Sequence, residues 1–381
     1  MKKIVTTLPL SPRKNADLGY YSVPLLADII ASFMGTYVVH AVNILGSKKL
    51  VSQDVDMHFK MLNHLCISSQ LHWRDTDEQW DVALSRLFYF GSMQGWVFQD
   101  ERIVMACPCG KVEFLANEST LSEIHGKRKV YKVQDGVATC LLCGNTATPR
   151  MTRCLLVRLP DLVPDIVVIP KYAAVEWNQL TRDIVGREIL VSRIRETGIH
   201  AEFMGKRFNI DIDFAWKLFL ERLYAKGFQC SCMVVGHKTL KHALSVTLLN
   251  SLIGIPTPEF VVSVPYFSLD FGIRPVESAE KLVNCHGGTS LRWLLSMAIG
   301  CAQKEITLQS KLIYLIAHSI GVTFNTKNDS PELLLVDAFW KEFNAQRIQR
   351  ILSQMRRGKL DDLISIELHF ASVLGLSSRS L

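Results

Sequence analysis

No secretory leader is expected, since Lys2 and Lys3 precede a short strand-like run and not a long apolar core ending in small residues. It also lacks an uninterrupted apolar run long enough for a membrane span. The most hydrophobic windows are broken by Asp28, or by Pro256, Pro258 and Pro265. Internal repeats and low-complexity segments are absent, which argues against a repeat array. Dense positive charge is missing as well. A net charge of +7 over 381 residues, with a pI near 8.8, suits ATP, tRNA or an acidic partner protein. It falls short of the basic patch of a dedicated nucleic-acid binder, so DNA is not an expected partner. The expectation is a soluble, cytoplasmic protein with no membrane partner.

What the chain does have is apolar residues, 48% of the total, enough to bury a substantial core. Its length allows two domains or one large α/β domain with insertions. The run "KKIVTTLPL" reads as a strand that ends at a proline. From Gly19 to about Met34 the apolar residues Val23, Leu26, Ala27 and Ile30 fall at helical spacing. Strand-like "YVVHAVNILG" follows, then helical "VDMHFKMLNHLCI" and "WDVALSRLFYFGSMQGWV". This order predicts a parallel sheet with crossover helices. Residues 101–160 then read as short strands and glycine turns. Helix–strand alternation returns from about residue 212, and the last 80 residues, including "ITLQSKLIYLIAHSI", read as almost purely helical. The expected fold class is α/β, a Rossmann-like parallel sheet with a zinc-binding insertion and a C-terminal helical region. Its segments are residues 1–95, the first half of the core; 96–175, the insertion; 176–300, the second half; and 301–381, the helical tail.

Ten cysteines in a chain read as cytosolic suggest thiols and a metal more than disulfides. "ACPCGKVEF" supplies Cys107 and Cys109, and "TCLLCGN" supplies Cys140 and Cys143. Two close pairs, each followed by glycine, suit a tetrahedral thiolate zinc site. The first pair is separated only by Pro108, which leaves room for Cys154 or His125 to replace one ligand. Such a zinc is structural, because four thiolates leave no open position for a substrate.

Taken in order, these segments resemble the catalytic core of a class I aminoacyl-tRNA synthetase, most closely the methionyl type. "TTLPLSPRKNADLGYYSVPLLADIIASF" is similar to that family's first strand and signature loop, with "DLGY" where the family has "HIGH". "HAVNILG" resembles its second strand and the turn after it. The cysteine insertion resembles its zinc-bearing connective peptide. "WNQLTRD", "FAWKLFLERL", "VVGHKTLKHA" and "GIPTPEFVVSVPYFSLDFG" follow in the family's order. The resemblance covers roughly residues 4–300, and no single motif is intact.

The resemblance implies roles for particular positions. The signature histidines, which contact ATP phosphates, fall on Asp17 and Tyr20, and a carboxylate there repels phosphate unless protonated or bridged by Mg2+. Gly19 is kept, where adenine or ribose approaches the backbone. Arg13 and Lys14 just upstream either face the phosphates or are solvated loop charges. The family's lysine-rich second signature corresponds to "GIRPVES", with Arg274 as its one cation. The ribose-binding segment corresponds to Gly236, His237 and Lys238, where a cation replaces a carboxylate. In the amino-acid pocket, Leu8 matches a side-chain contact and Asn43 replaces an aspartate that holds the amino group. Trp216 matches a pocket tryptophan, although an amphipathic helix more often uses such a residue as core.

Three functions follow as expectations. The first is ATP-dependent activation or ligation of an amino acid in small-molecule metabolism rather than tRNA charging, together with a separate partner enzyme. The alternative is a catalytically inactive pseudo-synthetase acting as a binding or partner protein. The third is a genuine tRNA-charging ligase, with tRNA the less favoured partner.

Overall fold

The computed structural model describes residues 1–309, apart from 14, 46–51, 69–70, 77–79, 109–112, 116–130, 135–136, 141–142, 163–164, 195–197, 211, 271–277, 289–290, 293–294 and 296–304. Lys14, Cys109, His125, Arg274 and the tail from residue 310 lie outside the described residues.

The first half runs β1 (Lys2–Thr7), α1 (Ser22–Phe33), β2 (Tyr37–Val42), α2 (Ser52–His64), β3 (Leu71–Arg74) and α3 (Trp80–Met93). The insertion follows with β4 (Val97–Ala106), β5 (Glu113–Leu115), β6 (Tyr131–Gln134), β7 (Val137–Cys140) and β8 (Thr148–Arg158). Next come β9 (Val167–Ile169), α4 (Lys171–Ile184), β10 (Glu188–Leu190), β11 (Ser192–Arg193), β12 (Ile199–Phe203) and β13 (Lys206–Ile210). The chain continues with α5 (Ile212–Ala225), β14 (Phe228–Gly236), α6 (Leu240–Ile253), β15 (Phe260–Val264), β16 (Tyr266–Asp270), α7 (Ala279–His286) and β17 (Glu305–Gln309).

Six strands form the main sheet in the order β3-β2-β1-β14-β15-β9, all parallel. Both faces are covered, so neighbouring residues of one strand enter opposite cores. Val5, Val38, Val234 and Val262 join the cluster beneath α1 and α2. Ile4, Val39, Val235 and Val261 join the cluster beneath α3, α4 and α6. This explains why the strands read as apolar runs without polar alternation.

Strand order reverses between β1 and β14, and such switch points leave a crevice at the strands' carboxyl ends. The loops after β1, β2 and β14 all open there, which brings Leu8, Asn43 and Gly236 to one edge. The insertion is an antiparallel sheet, β10-β8-β4-β5, in which Val97 faces Val157 and Ala106 faces Thr148.

One expectation is corrected. Glu305–Gln309, read as the start of a helix, is a strand parallel to β16, with Tyr266 opposite Glu305. Ile306 and Thr307 are β-branched, and distant pairing outweighs weak local helical spacing. Among the described residues no helix is long and apolar enough to cross a membrane.

Candidate functional site

The loop after β1 is held to β2 by backbone bonds: Leu10 N–H donates to the Ala41 carbonyl, and Asn43 N–H donates to the Leu10 carbonyl, each at 2.9 Å. It ends in a single 3-10 turn, Leu18–Tyr21, capped by Asp17, whose Oδ1 accepts from Tyr20 N–H at 3.0 Å. Capping satisfies one of the donors that open a helix. The Tyr20 hydroxyl donates to the Ser11 carbonyl at 2.9 Å. Its ring lies under the Arg13 guanidinium, 5.4 Å away, and edge-on to His58. Burial pushes the Tyr20 phenol far above its ordinary range, so it stays a neutral donor.

Gly19 is covered from within the chain. A Cβ added to it would lie 2.5 Å from Cβ of Phe267, on β16. Phe267 is 6% exposed and belongs to the core beneath α1. Next to it, the Lys238 ammonium sits 3.0 Å from the centre of the Tyr266 ring, a cation–π contact. The start of α7 is tied to the same loop, with Ala279 N–H donating to the Ala16 carbonyl at 2.8 Å. His237 turns away from this loop and is buried, its Nε2 3.1 Å from Glu176 of α4 and its ring edge-on to Tyr172. Gly236, by contrast, meets only ordinary contacts, Thr239 at 3.7 Å and Val23 at 3.8 Å.

At the amino-acid positions, Leu8 is buried in the same cluster as Trp216. Trp216 is wholly buried and stacks on Phe219, with ring centres 5.3 Å apart. Trp73 of β3 lies 5.3 Å from both Trp216 and Trp80. Beside Asn43, the wholly buried Asp75 accepts from Ile44 N–H and Leu45 N–H, each at 2.8 Å. Its carbonyl takes the Trp80 indole N–H at 2.9 Å. The indole nitrogens of Trp73 and Trp216 are buried without a hydrogen-bond partner among the described residues.

In the insertion, the sulfurs of Cys107, Cys140 and Cys143 lie within 4.8 Å of one another. Cys107 and Cys143 approach to 3.2 Å with no disulfide between them. Thiolates around a tetrahedral zinc stand about 3.8 Å apart, given Zn–S bonds near 2.3 Å, so the three fit such an ion. Gly144, at φ 74°, closes the turn, and its N–H donates to the Cys140 carbonyl at 2.8 Å. That left-handed conformation favours glycine. Cys154 stands apart, packed with Val104 and Leu156 in a separate apolar cluster.

No protein-family model matches this sequence, and no curated protein is similar to it. Solved structures do match. The chain is similar to the Mycobacterium tuberculosis methionyl-tRNA synthetase in complex with methionyl-adenylate, with a TM-score of 0.65 and 13% identity, over 98% of this chain and 92% of that one. A second structure of that enzyme bound by methionyl-adenylate gives 0.65 and 14%, over 100% and 87%. Its apo form gives 0.60 and 15%, over 100% and 84%. The likeness is one of fold. It shows a class I synthetase-type, Rossmann-like architecture and carries no activity across at this identity.

Within that synthetase-type fold, Asp17, Gly19 and Tyr20 share one loop, with Lys238 close by through Tyr266 and Phe267. His237 is brought to Glu176 instead. Sequence reasoning missed Phe267, Asp75 and Trp73. Phe267 sits inside an apolar strand-like run with nothing to single it out, and Asp75 falls between the segments that the sequence assigns. Trp73 lay in an unassigned stretch, and only the three-dimensional contact with Trp216 distinguishes it.

Proposed function

We propose that this chain is a synthetase-fold binding protein that takes an amino acid at the carboxyl edge of its parallel sheet and does not form an adenylate. The observation that carries this reading is the seating of Phe267 on Gly19. Adenine or ribose would need that glycine's open face, and a side chain of the protein already occupies it. The neighbouring groups reinforce it. Lys238 is spent on Tyr266, His237 on Glu176, and Asp17 on capping the turn. A carboxylate at Asp17 adds repulsion toward phosphate. Leu8 and Asn43 remain at the edge as the amino-acid contacts. Cys107, Cys140 and Cys143, with Cys109 as the fourth ligand, would hold a structural Zn2+ that braces the insertion.

A second reading, ATP- and Mg2+-dependent ligation in small-molecule metabolism with a separate partner enzyme, draws on one observation. The likeness to an adenylate-bound enzyme spans 98% of this chain and 92% of that one. There Asp17, Tyr20 and Arg274 would be catalytic, and Arg13, Lys14, Gly236 and Lys238 would meet ATP.

Pyrophosphate exchange with ATP and each of the twenty amino acids separates the two readings. Wild type should give none. Phe267→Gly, which removes the Cβ that sits on Gly19, should uncover it and strengthen ATP binding by calorimetry, whereas Asp17→His alone should strengthen it less, by removing only the repulsive charge. Exchange by the wild type with any amino acid overturns the binding reading.

A further inference from the structure

Helix α3 is apolar on two opposite faces. Trp80, Leu84, Leu87, Phe88 and Gly91 are buried and turn one face into the core. At 3.6 residues per turn, Val82, Tyr89, Phe90 and Met93 fall on the other face, within an arc of about 100°. They are 58%, 48%, 43% and 78% exposed. A surface helix ordinarily turns polar residues outward, so this second apolar arc calls for a cover of its own.

The neighbouring hairpin extends the arc. Met204 lies at the turn between β12 and β13, is 56% exposed, and donates its N–H to the Tyr89 hydroxyl at 3.1 Å. Met204 and Gly205 have φ of 49° and 69°, the two left-handed positions of a tight hairpin turn, where asparagine or glycine is favoured. Asparagine would suit both the turn and water. Methionine suits neither, and what it adds is apolar surface beside Tyr89.

The arc is also complementary to itself. Arg86 is exposed and lies on it between Val82 and Tyr89. Two copies of α3 can run antiparallel about a two-fold axis between residues 86 and 89. Val82 then meets Met93 of the partner subunit, Arg86 meets Tyr89 of the partner subunit, and each contact occurs twice. A guanidinium over a tyrosine ring is a favourable cation–π contact. Five apolar side chains exposed to this degree present on the order of 500 Å² per copy. Two copies bring together about 1,000 Å², the size at which specific association begins. We propose that this face of α3, with Met204 at its flank, is the interface of a symmetric homodimer. Helix α3 packs on the opposite side of the main sheet from α1, so the association lies away from the Asp17–Tyr20 loop and does not depend on the amino-acid-binding reading.

The test is analytical ultracentrifugation of the full chain in reductant across a range of concentrations. Wild type should sediment at 43.0 kDa when dilute and at twice that mass as the concentration rises through the micromolar range. Met93→Glu and Val82→Lys should each weaken the dimer by at least about tenfold, because each buries two unpaired charges in the contact. Mixing the two variants should restore much of the association, since opposite charges then face each other across the two-fold. Val175→Glu, at a position 64% exposed on α4, should leave the dimer unchanged. Hydrogen exchange of the wild type should slow across Trp80–Met93 as concentration rises, which decides the matter even where a variant fails to fold. A wild type that stays at 43.0 kDa up to about 100 µM overturns the proposal. So does a dimer that both charged variants leave intact, or one that forms without added protection in α3.

Discussion

Asp28 interrupts the most apolar stretch of α1, and its burial is matched by Arg292, whose Nη2 lies 2.9 Å from Asp28 Oδ2. Asp28 also accepts from Ser68 N–H, and Arg292 donates to the Leu65 and Cys66 carbonyls. The pair joins α1, the loop after α2 and the segment after α7. Removing one buried partner strands the other, so Arg292→Ala should lower stability by about 3–5 kcal/mol in urea unfolding. Asp28→Leu with Arg292→Met should cost much less, because neither variant side chain leaves a buried charge. Two histidines set the acid limit. Burial lowers His40 and His58 to about 4, and His58 lies flat against Tyr21. The unfolded chain, with imidazoles near 6.5, binds protons that the folded chain refuses. Stability is therefore full above about pH 6.5 and falls as pH drops toward about 4, by on the order of 3 kcal/mol per histidine. His58→Phe should flatten this slope in unfolding curves taken between those pH values. An unchanged slope would mean His58 is not buried neutral.

At the scale of elements, the parallel core was legible because strands such as β1, β2, β14 and β15 are apolar on both faces and helices such as α1 carry an apolar stripe. The β1, α1, β2, α2 and α3 elements follow from that pattern, whereas the four residues of β3 carry too little periodicity to be read. Strand β17 was not legible, since five residues carry little periodicity and their partner, β16, lies far back in the chain. The cleft was legible in part. Residue types at Asp17, Gly19 and Lys238 could be named from order along the chain, but the groups that cover them, Phe267, Tyr266 and Glu176, come from other elements. The cysteine pairs were the clearest local signal, because ligand spacing is written in one short turn. From them follows an element-scale expectation. The purified protein should carry about one zinc per chain with sulfur ligands, and Cys140→Ser should release it. Hydrogen exchange should then speed up in β4 to β8 and stay slow in β1, β14 and β15. Protein that holds no zinc when prepared without chelator would end the metal reading.

For the whole molecule, the question is whether a chain whose Gly19 lies against Phe267 would serve tRNA. The likeness to methionyl-tRNA synthetase runs nearly end to end, so a missing core segment does not by itself exclude aminoacylation. On the proposed binding role, chemistry opposes it. Charging needs an activated carboxyl, and activation needs ATP phosphates held by cations over an open glycine. Here that glycine lies under Phe267, and Lys238 faces Tyr266. Cations near the end of the chain, in "QRIQRILSQMRRGKL", offer a phosphate-backbone contact in sequence alone, and such a contact gives salt-sensitive binding without chemistry. The expected outcome is therefore no charging of total tRNA with any of the twenty amino acids, whether or not tRNA is retained at low salt. Acid-precipitable, base-labile product would restore a tRNA-charging ligase. It would also require Phe267 to leave Gly19 during turnover, which a Phe267→Gly variant, lacking the Cβ that sits on the glycine, would reveal as a faster rate.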